Sequence, residues 1–327
     1  MKYRKFKNEE VSEVGLGTWQ LGSADWGNVD EEAAFSILHR FAALGGNFID
    51  TADVYGMGVS EKTVGRFLKS AGGRFYVASK LGRRQDAQNG WPQNFSYDTM
   101  RRHLESSLTN LDLPSLFLEQ LHCIPTEELR KGEVFGHLNR FKKEGLIEHW
   151  GVSVETAEEA KICLQQEGLS ALQIIFNLFR QHYADDFFEE AKEKGVALIV
   201  RVPLASGLLS GKYTRDTRFS SGDHRNYNAN GESFNAGETF SGIPFEQGVE
   251  LAGEIADIFP DARTAQWALR WILDHPAVTT VIPGASKPEQ VESNMSASSL
   301  PSLSSEQHTA LASLYQTKIR PLIRGVF

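Results

Sequence analysis

Gly46-Asn47-Phe48-Ile49-Asp50-Thr51-Ala52-Asp53-Val54-Tyr55-Gly56 runs a short apolar stretch into an acidic residue, with a tyrosine five positions further on. Gly56 and Gly58 then precede a helical pattern from Val59 to Leu68. The order is strand, loop, helix. It places Asp50 at the C-terminal end of the strand and Tyr55 in the loop above it.

The same unit repeats outward in both directions. Strand patterns are read at Val14–Trp19, Asn47–Asp50, Phe75–Ser79, Leu116–His122, Ile147–Ser153, Ala171–Phe176, Val196–Arg201 and Val278–Pro283. Helical patterns fall between them at Glu31–Leu44, Ser60–Ser70, Tyr97–Leu111, Thr126–Glu144, Thr156–Glu167 and Asp185–Lys194, and after the seventh strand at Pro244–Phe259 and Arg263–Asp274. Gly45, Gly145, Gly168 and Gly195 stand where helix C-caps are expected. Eight strand–helix units without a break in composition predict an α/β fold, a closed (β/α)8 TIM barrel forming a single domain over 1–327. Residues 2–12 predict a small hairpin cap at the bottom. An open doubly wound sheet is the second choice, but no GxGxxG opens the first helix.

Net charge is −8, which disfavours a general nucleic-acid surface or an anionic membrane surface. The two cysteines, Cys123 and Cys163, are too few for a disulfide framework and suit a reducing compartment. The basic start Met1–Lys7 leads into Asn8-Glu9-Glu10 rather than an apolar segment, and no apolar run nears the ~20 residues that span a bilayer. A cytoplasmic protein is expected. Between Ser206 and Gly242 the chain is rich in Gly, Ser and Asn, with Arg215, Arg218 and Arg225 interspersed. A connection this long after a barrel strand is a functional cover or a mobile insertion, and its place on the face where barrels keep their sites favours the cover.

Asp50, Lys80, His122, Ser153, Gln173 and Arg201 fall at or near the C-terminal ends of the second to seventh strands, which converge on one mouth. Singly, each has a bland reading: a structural ion pair for Lys80, a packed core residue for His122. On successive strands they suggest proton chemistry at an oxygen. A free tyrosine, with a pKa of ~10, holds its proton about three units too tightly for easy transfer near neutrality, roughly 4 kcal/mol. An ammonium at Lys80 is expected to lower that value for Tyr55, and Asp50 to fix the ammonium. His122 would orient a substrate oxygen. No cluster at metal-ligand spacing is apparent, so no metal is expected.

Gly15-Leu16-Gly17-Thr18-Trp19, Phe48–Gly56, Ala78-Ser79-Lys80 and Gln120-Leu121-His122 resemble the catalytic signatures of the aldo-keto reductase family, nearest to bacterial NADP-dependent general-stress-type oxidoreductases. Gly151-Val152-Ser153, Pro203–Lys212 and Ile282-Pro283-Gly284-Ala285, followed by Gln290 and Asn294, resemble its cofactor segments. The resemblance covers nearly the whole chain. It implies reduction of an aldehyde or ketone by NADPH, with NADH as the other candidate. Catalytic roles fall to Tyr55 as acid, with Lys80, Asp50 and His122. Cofactor contacts fall to Gly17, Thr18, Trp19, Asp50, Ser153, Gln173, Arg201, Pro203, Leu204, Ser206, Gly207, Leu208, Lys212, Arg218, Gly284, Ser286, Lys287, Gln290 and Asn294.

Three positions depart from the family pattern. Val154 stands where many members have Asn. Gly284 and Gln290 replace the Lys and Arg that often hold the 2′-phosphate, leaving Ser286, Lys287 and the loop arginines to do so. Arg201 stands where many have an aromatic ring beside the nicotinamide; its guanidinium can stack through its plane, but its charge is expected to weaken binding of the cationic oxidised form. Trp19, Tyr55, Trp91 and His122 are expected to line the substrate pocket, with Trp26 nearby; the small-molecule carbonyl itself is not specified. Cys123 reads as a packing residue. The alternatives are a nicotinamide-nucleotide-sensing binding protein with little turnover and a Schiff-base lyase using Lys80.

Overall fold

The structure is a computed structural model and describes residues 1–22, 29–84 and 95–326. Eight parallel strands form one sheet in chain order: β3 (Leu16–Gly17), β4 (Phe48–Asp50), β5 (Tyr76–Leu81), β6 (Leu116–His122), β7 (Ile147–Ser153), β8 (Leu169–Ile175), β9 (Ala197–Arg201) and β10 (Val278–Val281). The sheet closes on itself where Val14 bridges Val281 and Gly17 bridges Gly284. A two-stranded hairpin, β1 (Tyr3–Phe6) and β2 (Glu9–Ser12), precedes it. Phe6 and Val11 from this hairpin join Phe48, Tyr76, Phe117 and Ile199 in a buried cluster. The barrel and its hairpin are therefore those read from the sequence. Among the described residues, no helix is long and apolar enough to cross a membrane.

Some boundaries differ, for physical reasons. The first strand, expected over Val14–Trp19, is cut to Leu16–Gly17, and a helical turn begins at Trp19. Glycines here allow close approach: a Cβ on Gly15 would lie 2.9 Å from the Phe48 carbonyl oxygen, and one on Gly17 2.9 Å from that of Ile282. The helix expected over Thr126–Glu144 is two helices, Thr126–Lys131 and Glu133–Lys143, because Gly132 takes φ +80° between them. Asp185–Lys194 likewise divides into Tyr183–Asp186 and Phe188–Glu193. The long connection after β9 is ordered into short helical turns at Ala205–Ser210, His224–Tyr227, Ala236–Glu238 and Phe240–Gly242. The C-terminal tail fastens it: Arg324 donates to the carbonyls of Gly242 and Ala229 and to Asn230 Oδ1.

Candidate active site

Strand register brings the polar ends together. Lys80 on β5 pairs with Gln120 on β6, His122 with Ser153 on β7, and Ser153 with Gln173 on β8. Alternation turns Lys80, Gln120 and His122 to the same, interior side. Lys80 and Asp50 are almost wholly buried, and Lys80 Nζ lies 2.5 Å from Asp50 Oδ1. Lys80 also donates to the Thr51 carbonyl at 2.8 Å and to Tyr55 Oη at 3.2 Å. The second carboxylate oxygen of Asp50 accepts from Gln173 Nε2 at 2.8 Å and from Gln120 Nε2 at 3.2 Å. Gln173 Nε2 donates in addition to Gln120 Oε1, at 3.2 Å. Both protons of the Gln173 amide are thus committed, so toward a ligand this side chain acts as an acceptor. Gln120, quoted from the sequence only within the stretch Gln120-Leu121-His122 and given no role there, joins this cluster; its place two before His122, on the same face of the strand, was the available signal.

Lys80 pulls the Tyr55 pKa down, as expected, but burial outweighs that pull and Asp50 adds to the rise, so the phenol is held above its ordinary value. Lys80 is itself raised; burial opposes its charge, but Asp50 and then Tyr55 more than offset this. His122 is pushed well below its usual value by burial, then by the charges of Arg83, Lys80 and Arg201, so it is a neutral imidazole. Beside Asp50 the site therefore presents a phenol, an ammonium and a neutral histidine at neutral pH. Tyr55 and His122 meet edge to face with ring centres 6.0 Å apart, and Trp19 stacks on Tyr55 at 5.9 Å. From the long loop, His224 and Phe234 close on Trp19 at 5.1 and 6.2 Å. Trp91 and Trp26 lie outside the described residues.

The remaining strand ends carry a second charged group. Arg201 on β9 pairs with Glu238 of the long loop at 2.5 Å, and Arg83 with Glu155 at 3.2 Å. Arg201 Nη2 also donates to the Val154 carbonyl at 3.2 Å and to Cys123 Sγ at 3.4 Å. Cys123 Sγ in turn lies 3.4 Å from Ser153 Oγ. Among the described residues, Arg201 Nε and His122 Nδ1 are buried without a hydrogen-bond partner. Cys123, Glu155 and Glu238 draw their ligand-type atoms close together, but Arg201 already engages two of the three, and burial holds the Cys123 thiol protonated. Glu238, Glu155 and Arg83 were missed from sequence. Arg83 and Glu155 each lie two residues beyond a strand end and could have been noticed; nothing local marks Glu238.

The segments expected at the cofactor form compact turns around the mouth. Ala205, Ser206 and Gly207 all take positive φ, and Ser206 Oγ ties the long loop down through the Glu238 carbonyl at 3.1 Å and the Phe240 amide at 3.2 Å. Pro203, Leu204 and Leu208 belong to this turn, and Lys212 follows it, exposed. After β10, Gln290 Oε1 accepts from Ser286 N at 2.7 Å and Ser286 Oγ at 3.1 Å, and Asn294 Nδ2 donates to the Gly284 carbonyl at 3.3 Å. Lys287 is exposed beside them. Thr18 Oγ1 donates to the Asp50 carbonyl at 2.9 Å, tying Gly17–Trp19 to β4. Arg218 spends Nη1 on the carbonyls of Arg215 and Thr217 and lines a cavity of about 340 Å³ with Arg225, Arg324 and Phe245.

A model of the aldo/keto reductase family matches residues 13–316. Aldo-keto reductase YhdN of Bacillus subtilis is 30% identical over 290 residues, covering 86% of this chain and 84% of that protein. Among solved structures, the glycerol dehydrogenase AKR11B4 of Gluconobacter oxydans superposes with a TM-score of 0.81 at 28% identity, covering 99% of this chain and 98% of that one. The holo form of the aldo-keto reductase AKR11C1 of Bacillus halodurans gives 0.78 at 25% identity, covering 96% of each chain.

Proposed function

The chain belongs to the aldo/keto reductase family, an oxidoreductase that uses a nicotinamide cofactor, and from that premise we propose that it reduces an aldehyde or ketone to the alcohol with NADPH. The observation that carries this reading is the contact of Tyr55 Oη with Lys80 Nζ at 3.2 Å, with Lys80 held by Asp50 at 2.5 Å. A protonated phenol beside a buried ammonium is a proton donor whose conjugate base is stabilised where it forms. Tyr55 passes its proton to the carbonyl oxygen as that oxygen gains charge. Lys80 stabilises the phenolate left behind, Asp50 and Gln120 keep Lys80 in place, and neutral His122 orients the oxygen through a ring N–H. Trp19, His224 and Phe234 keep water from this corner.

A nicotinamide fits the residues around it. The acceptor face of Gln173, the hydroxyl of Ser153 and the unpartnered, buried Nε of Arg201 offer one acceptor and two donors, the complement of a carboxamide. When bound, the reduced ring supplies the hydride. Ser286 and Lys287, at the start of the helix Pro288–Ser296, favour a 2′-phosphate and hence NADPH. The substrate class is a small carbonyl compound with an apolar flank against Trp19; a polyol or hydroxy-carbonyl is among the candidates, given the name borne by AKR11B4.

The test is absorbance at 340 nm with NADPH and NADH over a panel of aliphatic, aromatic and hydroxylated carbonyls, for wild type and Tyr55→Phe. Oxidation of NADPH by the wild type and a loss of about 10³-fold or more in the variant are expected. Tight cofactor binding with no turnover on the whole panel would overturn the reductase reading in favour of a nucleotide-sensing protein.

A further inference from the structure

Two guanidinium groups stand at the mouth, each with its own carboxylate: Arg83 with Glu155 and Arg201 with Glu238. The four charges cancel. The acids differ in origin. Glu155 lies two residues beyond the end of β7, so the barrel itself places it. Glu238 belongs to the long loop and is delivered only when that loop is seated. Its backbone is held by Ser206 Oγ, and neighbouring Gly237 packs so closely on fully buried Arg180 that a Cβ there would lie 2.0 Å from Arg180 Nη1. Arg201 lies against the carbonyl of Val154 and, through Cys123, against Ser153. Ser153 and Arg201 itself are two of the three residues assigned to the carboxamide under the proposed function.

A nicotinamide ring is uncharged when reduced and cationic when oxidised, while the rest of the dinucleotide is the same in both. A charge beside the ring therefore separates the two forms, and a charge elsewhere acts on both alike. Left alone, Arg201 would repel the oxidised ring. The side chains of Arg201 and Glu238 are only 10% and 8% exposed, so solvent and salt screen the pair weakly. Arg201 and Arg83 keep Glu238 ionised against the cost of its burial.

We propose that Glu238 is a specificity-determining residue for the redox state of the cofactor: the long loop brings a counter-charge to Arg201 that lets the oxidised form bind, so the loop, not the barrel alone, sets the balance between oxidised and reduced cofactor. This rests on the nicotinamide reading above. It also changes the expectation drawn from Arg201 in isolation, because the charge at the ring is that of the pair.

The experiment is titration of NADP⁺ and NADPH, followed by quenching of tryptophan fluorescence, against wild type, Glu238→Gln, Arg201→Gln and the double variant, with circular dichroism on each. Glu238→Gln leaves two guanidiniums against one carboxylate and is expected to raise the ratio of Kd for NADP⁺ over NADPH by about tenfold. Arg201→Gln leaves two carboxylates against one guanidinium and is expected to move the ratio the opposite way. The double variant should return to within about twofold of wild type. Movement in opposite directions is something a merely structural role cannot produce. A ratio unchanged in Glu238→Gln, or an equal loss of both affinities, overturns the proposal while the reductase reading stands. Failure of wild type to bind either form overturns that reading, and this proposal with it.

Discussion

Replacing Lys80 by Met tests whether the buried Lys80–Asp50 pair acts as a pair. The two side chains are 1% and 2% exposed. Removing the cation strands the Asp50 carboxylate, and breaking a buried pair on one side costs about 3–5 kcal/mol. Two features of the structure bound the figure. The carboxylate keeps its bonds from Gln120 and Gln173, which offset part of the loss. It can also escape by taking up a proton, and protonating an ordinary carboxyl at pH 7 costs about three units, roughly 4 kcal/mol. The destabilisation at pH 7 is therefore capped near 4 kcal/mol. For 327 residues the unfolding entropy is about 0.7 kcal/mol/K, so Tm falls by about 6 °C. The escape route fixes the pH dependence. A folded variant that holds a proton the unfolded chain has released loses stability as pH rises. The deficit should thus grow from pH 5 to pH 7 by up to about 1.4 kcal/mol per unit. Lys80→Met/Asp50→Asn removes both charges and should recover most of the loss. The assay is thermal unfolding by circular dichroism for both variants at pH 5, 6 and 7. Equal losses in the single and double variants, or a pH-independent loss in Lys80→Met, would refute the reasoning, since either would show that no stranded charge is at work.

Two further outcomes follow from other parts of the structure. Asp53 is 2% exposed and its pKa is pushed up to about 8, by burial first and the nearby Glu61 charge second. The folded chain then holds a proton, between the ordinary carboxylate range and about pH 8, that the unfolded chain has lost, so wild-type stability falls across that window. Asp53→Asn should match wild type near pH 4 and exceed it increasingly up to pH 8; parallel Tm curves for the two proteins over that range would count against a buried, raised carboxyl. Gly237→Ala would set a Cβ 2.0 Å from Arg180 Nη1. It should cost about 1–3 kcal/mol, as overpacking does, and accelerate protease cleavage within residues 206–242 more than elsewhere; cleavage at the wild-type rate would show that the loop accommodates the methyl freely.

What the sequence revealed and what it hid divide along a physical line. Asp50, Lys80, His122, Ser153 and Gln173 were legible because a strand's alternation and its C-terminal end are local properties, and barrel closure then brings local ends together. Gln120 obeys the same rule and was within reach. The break at Gly132 was legible too, since a glycine directly after Arg130-Lys131 is an ordinary C-cap signal; the apolar period simply continued past it. Glu238 was not legible. It meets Arg201 across 37 residues of irregular chain, and neither periodicity nor turn chemistry fixes where such a path ends. The protonation of Tyr55 was hidden for a different reason. Sequence supplies the neighbouring charges of Lys80 and Asp50, which pull in opposite directions, but burial is the largest contribution, and Trp19 and His122 reach the Tyr55 ring only in the folded chain. The two hidden features have one source. The loop that carries Glu238 to Arg201 also brings His224 and Phe234 onto Trp19, so seating it sets a carboxylate against Arg201 and, through the charge of Glu238, adds to the rise in the Tyr55 pKa.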